Sequence, residues 1–141
     1  MTIPSYQSGL LFTKAHRLVR ERVYTVLELY QLTPTLWSLL SMVLREPDGI
    51  RSATVAKELG VKPPMVTMMA DSLIELELIQ RVPHHTDGRV KLLAVTAKGK
   101  KIAKEVENKL NGEIGYLMKG LSPQDIATFQ HVLVTIISNA N

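Results

Sequence analysis

The sequence predicts a mainly α-helical chain with one small β-hairpin, and three observations carry that prediction. Apolar residues recur at helical spacing through six segments, most of them bounded by a cap or breaker. The period changes to strand-like runs in only one place, on either side of Asp87-Gly88, a strong turn signal. Aromatic residues make up 5% of a chain that is 45% hydrophobic, so the core must come from Leu, Val, Ile and Met, which suits packed helices.

The elements follow in order. From Tyr6 to Tyr30 there is no proline, and Leu11, Ala15, Leu18, Val19, Val26 and Leu29 recur at helical spacing. Thr33-Pro34 supplies a cap and a first-turn proline for a second helix running to about Arg45, with Leu36, Leu39, Leu40, Val43 and Leu44 as its apolar side. After the Pro47-Asp48-Gly49 turn, Ser52 is placed to cap a short third helix with Val55, Ala56 and Leu59 facing inward, closed by Gly60. Pro63-Pro64 opens a fourth helix to about Leu76, where two prolines are tolerable because the first amides of a helix lack intrahelical partners. Val66, Met69, Leu73 and Leu76 form its buried stripe. Leu78 to Val82 and Val90 to Val95 are the two β-capable runs, joined by a polar tip. Thr96 caps a long fifth helix to about Leu117. Ser122-Pro123 starts a sixth, with Ile126, Phe129, Leu133, Ile136 and Ile137 as its apolar face.

The 141 residues fit one domain, 1–141, and charged residues are 21%, so this is no disordered polyelectrolyte. A net charge of +4 permits a polyanionic partner without proving one. With no cysteine there is no disulfide scaffold, thiolate zinc site or thiol switch. The start, Met1-Thr2-Ile3-Pro4-Ser5, lacks the basic stretch and apolar run of a leader, and no apolar run reaches the roughly 20 residues of a membrane span. A soluble, cytoplasmic protein is the expectation. Catalysis is not expected either: no Gly-x-Ser-x-Gly elbow, dinucleotide fingerprint or phosphate-binding loop occurs, and no cofactor is implied. His16, His84, His85 and His131 lack zinc-site spacing, and the adjacent His84 and His85 are expected on opposite faces of a strand.

Two short helices joined by a turn that holds glycine, followed at once by a hairpin, form a helix-turn-helix with a wing. In that arrangement the second helix enters the major groove and an Arg-bearing hairpin tip reaches phosphates or the adjacent minor groove. On a helical wheel Pro64, Thr67, Met68 and Asp71 lie opposite the buried stripe, with Lys62 just ahead of them. Thr67 can bond a base or phosphate, Met68 can touch a thymine methyl, and Asp71 can accept from cytosine or repel phosphate. Arg51, Arg81 and Lys91 are candidate phosphate contacts. The plainer reading of the hairpin charges is solvation, and Met65 and Met69 read as core filler.

Leu59-Gly60-Val61, and more heavily Asp87-Gly88-Arg89 followed after five residues by Val95-Thr96-Ala97-Lys98-Gly99, give the chain its resemblance to the multiple-antibiotic-resistance regulator (MarR) family. That family's pattern is Asp-x-Arg, five residues, Leu-Thr-x-x-Gly, with Val here in place of Leu. Helix order and length extend the resemblance over nearly the whole chain. It implies a winged helix-turn-helix lobe at 33–96 between dimerisation helices at 1–32 and 97–141, a homodimer on a pseudo-palindromic double-stranded DNA operator, and a repressor released by a small aromatic or lipophilic effector. It also implies that Arg89 enters the minor groove while Asp87 braces it. The chain departs from the family in one respect: Pro63 to Leu76 contains no Lys or Arg, which leads us to expect modest, salt-sensitive affinity or reliance on DNA shape.

His16, Arg20 and Tyr24, spaced by four, form a polar stripe that with Trp37 would suit an aromatic carboxylate; interface salt bridges plus a core tryptophan are the weightier reading. A winged-helix protein-interaction module and a metal-responsive regulator remain as alternatives.

Overall fold

The computed structural model describes residues 5–141; Met1 to Pro4, read above for a leader, lie outside them. Six helices and three short strands run in the order α1 (Ser5–Glu28), α2 (Pro34–Leu44), β1 (Ile50–Arg51), α3 (Ser52–Leu59), α4 (Pro63–Glu75), β2 (Ile79–Pro83), β3 (Lys91–Val95), α5 (Ala97–Leu117) and α6 (Pro123–Ala140). The fold is mainly helical with a small antiparallel sheet, as the sequence predicts.

Local chemistry sets most boundaries. Thr33 Oγ1 accepts from the Leu36 amide at 3.2 Å and opens α2. Gly60, at φ 66°, closes α3 in the left-handed conformation. Ser122 caps α6, and Asp125 reaches back to the Ser122 amide at 2.8 Å, completing a capping box that the sequence reading missed. At the start of α3 the expectation fails. Arg51 holds the cap position and Ser52 is already helical, because the preceding residues are drawn into a strand.

That strand is the larger correction. The sheet has three strands, not two, in the order β1-β3-β2. Ile50 pairs with Leu93 and Arg51 with Leu92, while β2 pairs with β3 from Ile79↔Val95 to Pro83↔Lys91. A two-residue strand is too short to show a period of two, so sequence reading passes over it. Leu78 and Val90 fall outside the strands.

The core is one cluster in which Leu27, Leu39, Leu40, Val43, Val55, Val66, Leu73, Ile79, Leu93 and Val106 are buried. It fills the space between α2, α3, α4, the sheet, the end of α1 and the middle of α5. Met69 belongs to it, as expected, but Met65 does not: its side chain is exposed on α4. Residues 65 and 69 are one helical turn apart, and Met65 lies in the first, more exposed turn of α4, where it lines a shallow surface depression with Leu36 and Val61.

The terminal helices differ. Along α1 the apolar residues Leu10, Leu11, Phe12 and Leu18 are exposed, and burial begins only near Val26 and Leu27. Every residue of α6 is exposed or only partly buried. Phe129, Ile136 and Ile137 remain about half exposed.

Candidate nucleic-acid interface

The helix-turn-helix is built by α3 and α4, which pack on each other through Val55, Ala56, Val66, Met69 and Ala70. Burying that stripe turns the opposite side of α4 outward. Pro64, Thr67, Met68 and Asp71 are all exposed, Met68 at 66%, as the wheel predicts. Lys62 occupies the cap position ahead of them. The side chains are engaged locally: Thr67 Oγ1 donates to the Pro63 carbonyl at 3.3 Å, and Ser72 Oγ to the Met68 carbonyl at 3.1 Å.

Asp71 and Arg81, read separately from the sequence, come together. Arg81 on β2 reaches back to α4 and donates from Nη2 to Asp71 Oδ1 at 2.8 Å. Both side chains remain substantially exposed, so the pair adds little to stability. Its effect is on the charge of the surface: the one carboxylate among the four predicted α4 contact residues is balanced by a cation borrowed from the sheet.

The wing is the loop His84–Val90 between β2 and β3. Asp87 organises it by accepting from the Arg89 amide at 3.1 Å and from Arg89 Nε at 3.2 Å, while its own carbonyl closes the turn by accepting from the Val90 amide at 3.0 Å. The sequence expectation that Asp87 braces Arg89 thus acquires a geometry. The rest of Arg89 projects into solvent, with its side chain 92% exposed. The Arg89 side-chain and backbone hydrogen bonds hold the Asp87 carboxyl below its ordinary value of 3.8, with smaller help from the charges of His84 and Arg51. A depressed carboxylate pKa contributes order that is present above the unfolded value and lost as pH falls through the folded one. We therefore expect the brace to be intact throughout the neutral range and to open only in acid. A carboxyl NMR titration of Asp87 should show a midpoint below 3.8; a midpoint at or above it would mean that the brace does not form in solution.

Arg51 lies exposed at the sheet edge and Lys91 at the start of β3. His84 and His85 do not point to opposite faces. Their rings stack at 4.5 Å, because β2 ends at Pro83 and strand alternation no longer applies. His84 Nδ1 accepts from the Thr86 amide at 3.2 Å. Among the described residues, no group of three or more His, Cys, Asp or Glu is placed to hold a metal ion, and no helix is long and apolar enough to cross a membrane.

The motif Val95-Thr96-Ala97-Lys98-Gly99 also acquires a physical reason. Thr96 Oγ1 accepts from the Gly99 amide at 2.9 Å and donates to the Glu77 carbonyl at 2.6 Å, fastening the start of α5 to the chain leaving α4. Gly99 presses on that same chain: a Cβ there would collide with the Leu78 carbonyl oxygen and come within 2.9 Å of Val95 Cγ2. The motif docks α5 on the end of the helix-turn-helix and does not present a contact to a ligand.

The residues read as an effector group are not gathered. His16 lines an apolar groove of about 600 Å³ with Leu11, Phe12, Val19, Met118 and Phe129. Arg20 and Tyr24 lie exposed further along α1, outside that lining. Trp37 is half-buried and packs against the core. A four-residue spacing on one helix identifies a shared side but not what faces it.

A helix-turn-helix with an outward-facing second helix, followed by a wing that carries a braced arginine, defines a winged helix-turn-helix protein. The model of the MarR family matches residues 32–91, which span α2 to the first residue of β3. That segment, the winged lobe, is thus assigned to the MarR family, which points to a transcriptional regulator and not to an enzyme. Solved structures share the fold over nearly the whole chain. CouR from Rhodococcus jostii RHA1, bound to p-coumaroyl-CoA, superposes with a TM-score of 0.82 at 22% identity, covering 96% of this chain and 95% of that one. A MarR-family transcriptional regulator from Rhodococcus sp. RHA1 gives 0.80 at 21% identity over 96% and 97%. The YusO protein from Bacillus subtilis gives 0.74 at 21% over 98% and 99%.

Proposed function

We propose that this protein is a cytoplasmic, homodimeric repressor that binds a pseudo-palindromic DNA operator and is released by a small aromatic or lipophilic effector. The observation that carries the reading is Arg89: a freely projecting guanidinium at the wing tip, oriented from behind by Asp87, beside an α4 face that the core leaves uncovered. In this reading α4 lies in the major groove, Arg89 enters the adjacent minor groove, and Lys62, Arg51 and Lys91 contact phosphates. Residues 33–96 act as the DNA-binding lobe, and 1–32 and 97–141 hold two copies together.

The dimer is supported by the apolar side chains left uncovered along α1 and α6. They form an exposed apolar series on each helix, and a self-complementary contact would cover both helices at once. The effector reading is supported by the apolar groove between α1, α6 and the end of α5, and by the aromatic acyl thioester held by CouR, a protein of the same fold. An effector releases DNA only by favouring a lobe spacing that does not fit the operator.

The test is binding of the purified protein to its own upstream DNA and to an unrelated duplex across a salt series. We expect tighter binding to the upstream piece, one dimer per site, and a steep loss with salt. Arg89→Ala should cost about 1–3 kcal/mol of operator affinity and leave the oligomeric state unchanged. Wild-type affinity in that variant would remove the wing from the interface.

A further inference from the structure

We propose that α4 reads its operator as a surface of acceptors and methyl-contacting groups, so that it selects A·T over G·C pairs in the major groove of each half-site, with Asp71 and Arg81 as a specificity-determining pair. The inference rests on the DNA-binding reading above and adds what that binding selects.

It begins with an inventory of donors. Pro63 and Pro64 have no amide hydrogen, and the Met65 amide is spent on the Lys62 carbonyl at 3.0 Å. The first turn of α4 therefore offers none of these three amides to a phosphate or a base. Four polar side chains lie exposed along the helix: Thr67, Asp71, Ser72 and Glu75. The two carboxylates can only accept. The two hydroxyls have committed their hydrogens to the helix backbone, which leaves their lone pairs free to accept. The other exposed side chains are Pro63, Pro64, Met65 and Met68, which can pack on a methyl group but donate nothing.

The major groove is asymmetric toward such a face. Adenine N6 and cytosine N4 each carry a donor, both kinds of pair present two acceptors (adenine N7 with thymine O4, guanine N7 with O6), and only thymine carries a methyl. An A·T pair satisfies both kinds of group on α4: its adenine amino donates to Thr67 or Asp71, and its thymine methyl meets Met68. A G·C pair offers the cytosine amino but no methyl to meet Met68; each pair carries one amino donor and two acceptors, so the methyl is what separates them. The residues that ordinarily read guanine are Arg and Lys, and α4 has neither.

A bare carboxylate between two rows of phosphates would be repelled, and this is where Arg81 matters. At 2.8 Å from Asp71 it cancels that charge without occupying both carboxylate oxygens, since the contact is made to Oδ1. Asp71 can then approach a base edge through Oδ2. Arg81 acts through Asp71 and is a positioning residue in this sense.

The experiment is selection from a pool of randomised duplexes by the full-length protein at fixed salt, with sequencing of the bound fraction, repeated for Asp71→Arg and Arg81→Ala. For the wild type we expect half-sites in which G·C pairs are depleted about tenfold per position under α4. Asp71→Arg should admit guanine at one position in each half-site while leaving the flanking preference unchanged. That swap separates readout by α4 from any A·T preference due to the wing and a narrow minor groove. Arg81→Ala should weaken all selected sequences and flatten the preference at the Asp71 position. Half-sites rich in guanine for the wild type would overturn the inference and leave the DNA-binding reading standing. An Asp71→Arg motif identical to the wild-type one would overturn the placement of Asp71 at a base. A pool with no enrichment would remove the DNA-binding reading and the inference with it.

Discussion

Placing charge on the α6 face, by the paired substitutions Phe129→Glu and Ile136→Glu, is expected to convert the proposed dimer to monomers and weaken operator binding by about a hundredfold or more. The two residues lie seven apart on one side of α6 and are about half exposed in the single chain. Neither contributes to the buried core, so the winged lobe should keep its helical circular dichroism. What would be lost is the proposed contact between copies, where a pair of carboxylates would have to be desolvated against apolar neighbours. DNA affinity falls with it because two linked lobes bind a two-fold site with a high effective concentration for the second lobe, and separated lobes do not. Sedimentation at micromolar concentration and operator titration at fixed salt check the two halves independently. A variant that stays dimeric would move the interface away from α6; a monomer that binds as tightly as wild type would sink the requirement for two lobes.

The second large effect is expected at Gly99. Replacement by alanine should destabilise the fold by about 3 kcal/mol, near the upper range for overpacking. The new methyl meets the Leu78 carbonyl, which is backbone, and Val95, which is held in the sheet, so neither can rotate away. Relief requires α5 to lift from the end of α4, and that also pulls Thr96 from the Glu77 carbonyl it bonds at 2.6 Å. A lowering of the melting temperature by roughly 10 °C is the corresponding readout for a chain of this size. A shift within 2 °C would show that α5 does not dock on Leu78 in solution. Gly115, further along the same helix, faces open space. Alanine there is the internal control and should be neutral or slightly stabilising, because it improves helix propensity without meeting a neighbour.

These two predictions differ in how far the sequence could have led to them. The apolar face of α6 is legible from the spacing of Phe129, Leu133, Ile136 and Ile137. The role of Gly99 is not. The motif that contains it points to a family, but only the packing shows that Leu78 stands where a side chain would go. The Asp71–Arg81 pair is a similar case, since the two residues lie ten apart on different elements. The stripe of His16, Arg20 and Tyr24 is legible as a spacing, while only the packing shows that the apolar groove takes in His16 and leaves the other two outside its lining.

By itself the sequence determined what depends on near neighbours along the chain. Helix spans follow from apolar periodicity, and the caps at Thr33, Thr96 and Ser122 from side chains that reach amides two or three residues ahead. The Asp87 turn follows from the same short reach, and the outward face of α4 follows from its buried stripe. Tertiary structure alone decided what depends on meetings between distant residues. It recruited Ile50 and Arg51 as a third strand against β3, brought Arg81 to Asp71, stacked His84 on His85 and seated Gly99 against Leu78. A strand of two residues has no period, an ion pair across elements has no fixed spacing, and a close contact leaves no mark beyond the glycine that permits it. Such features arise only when the core draws the elements together.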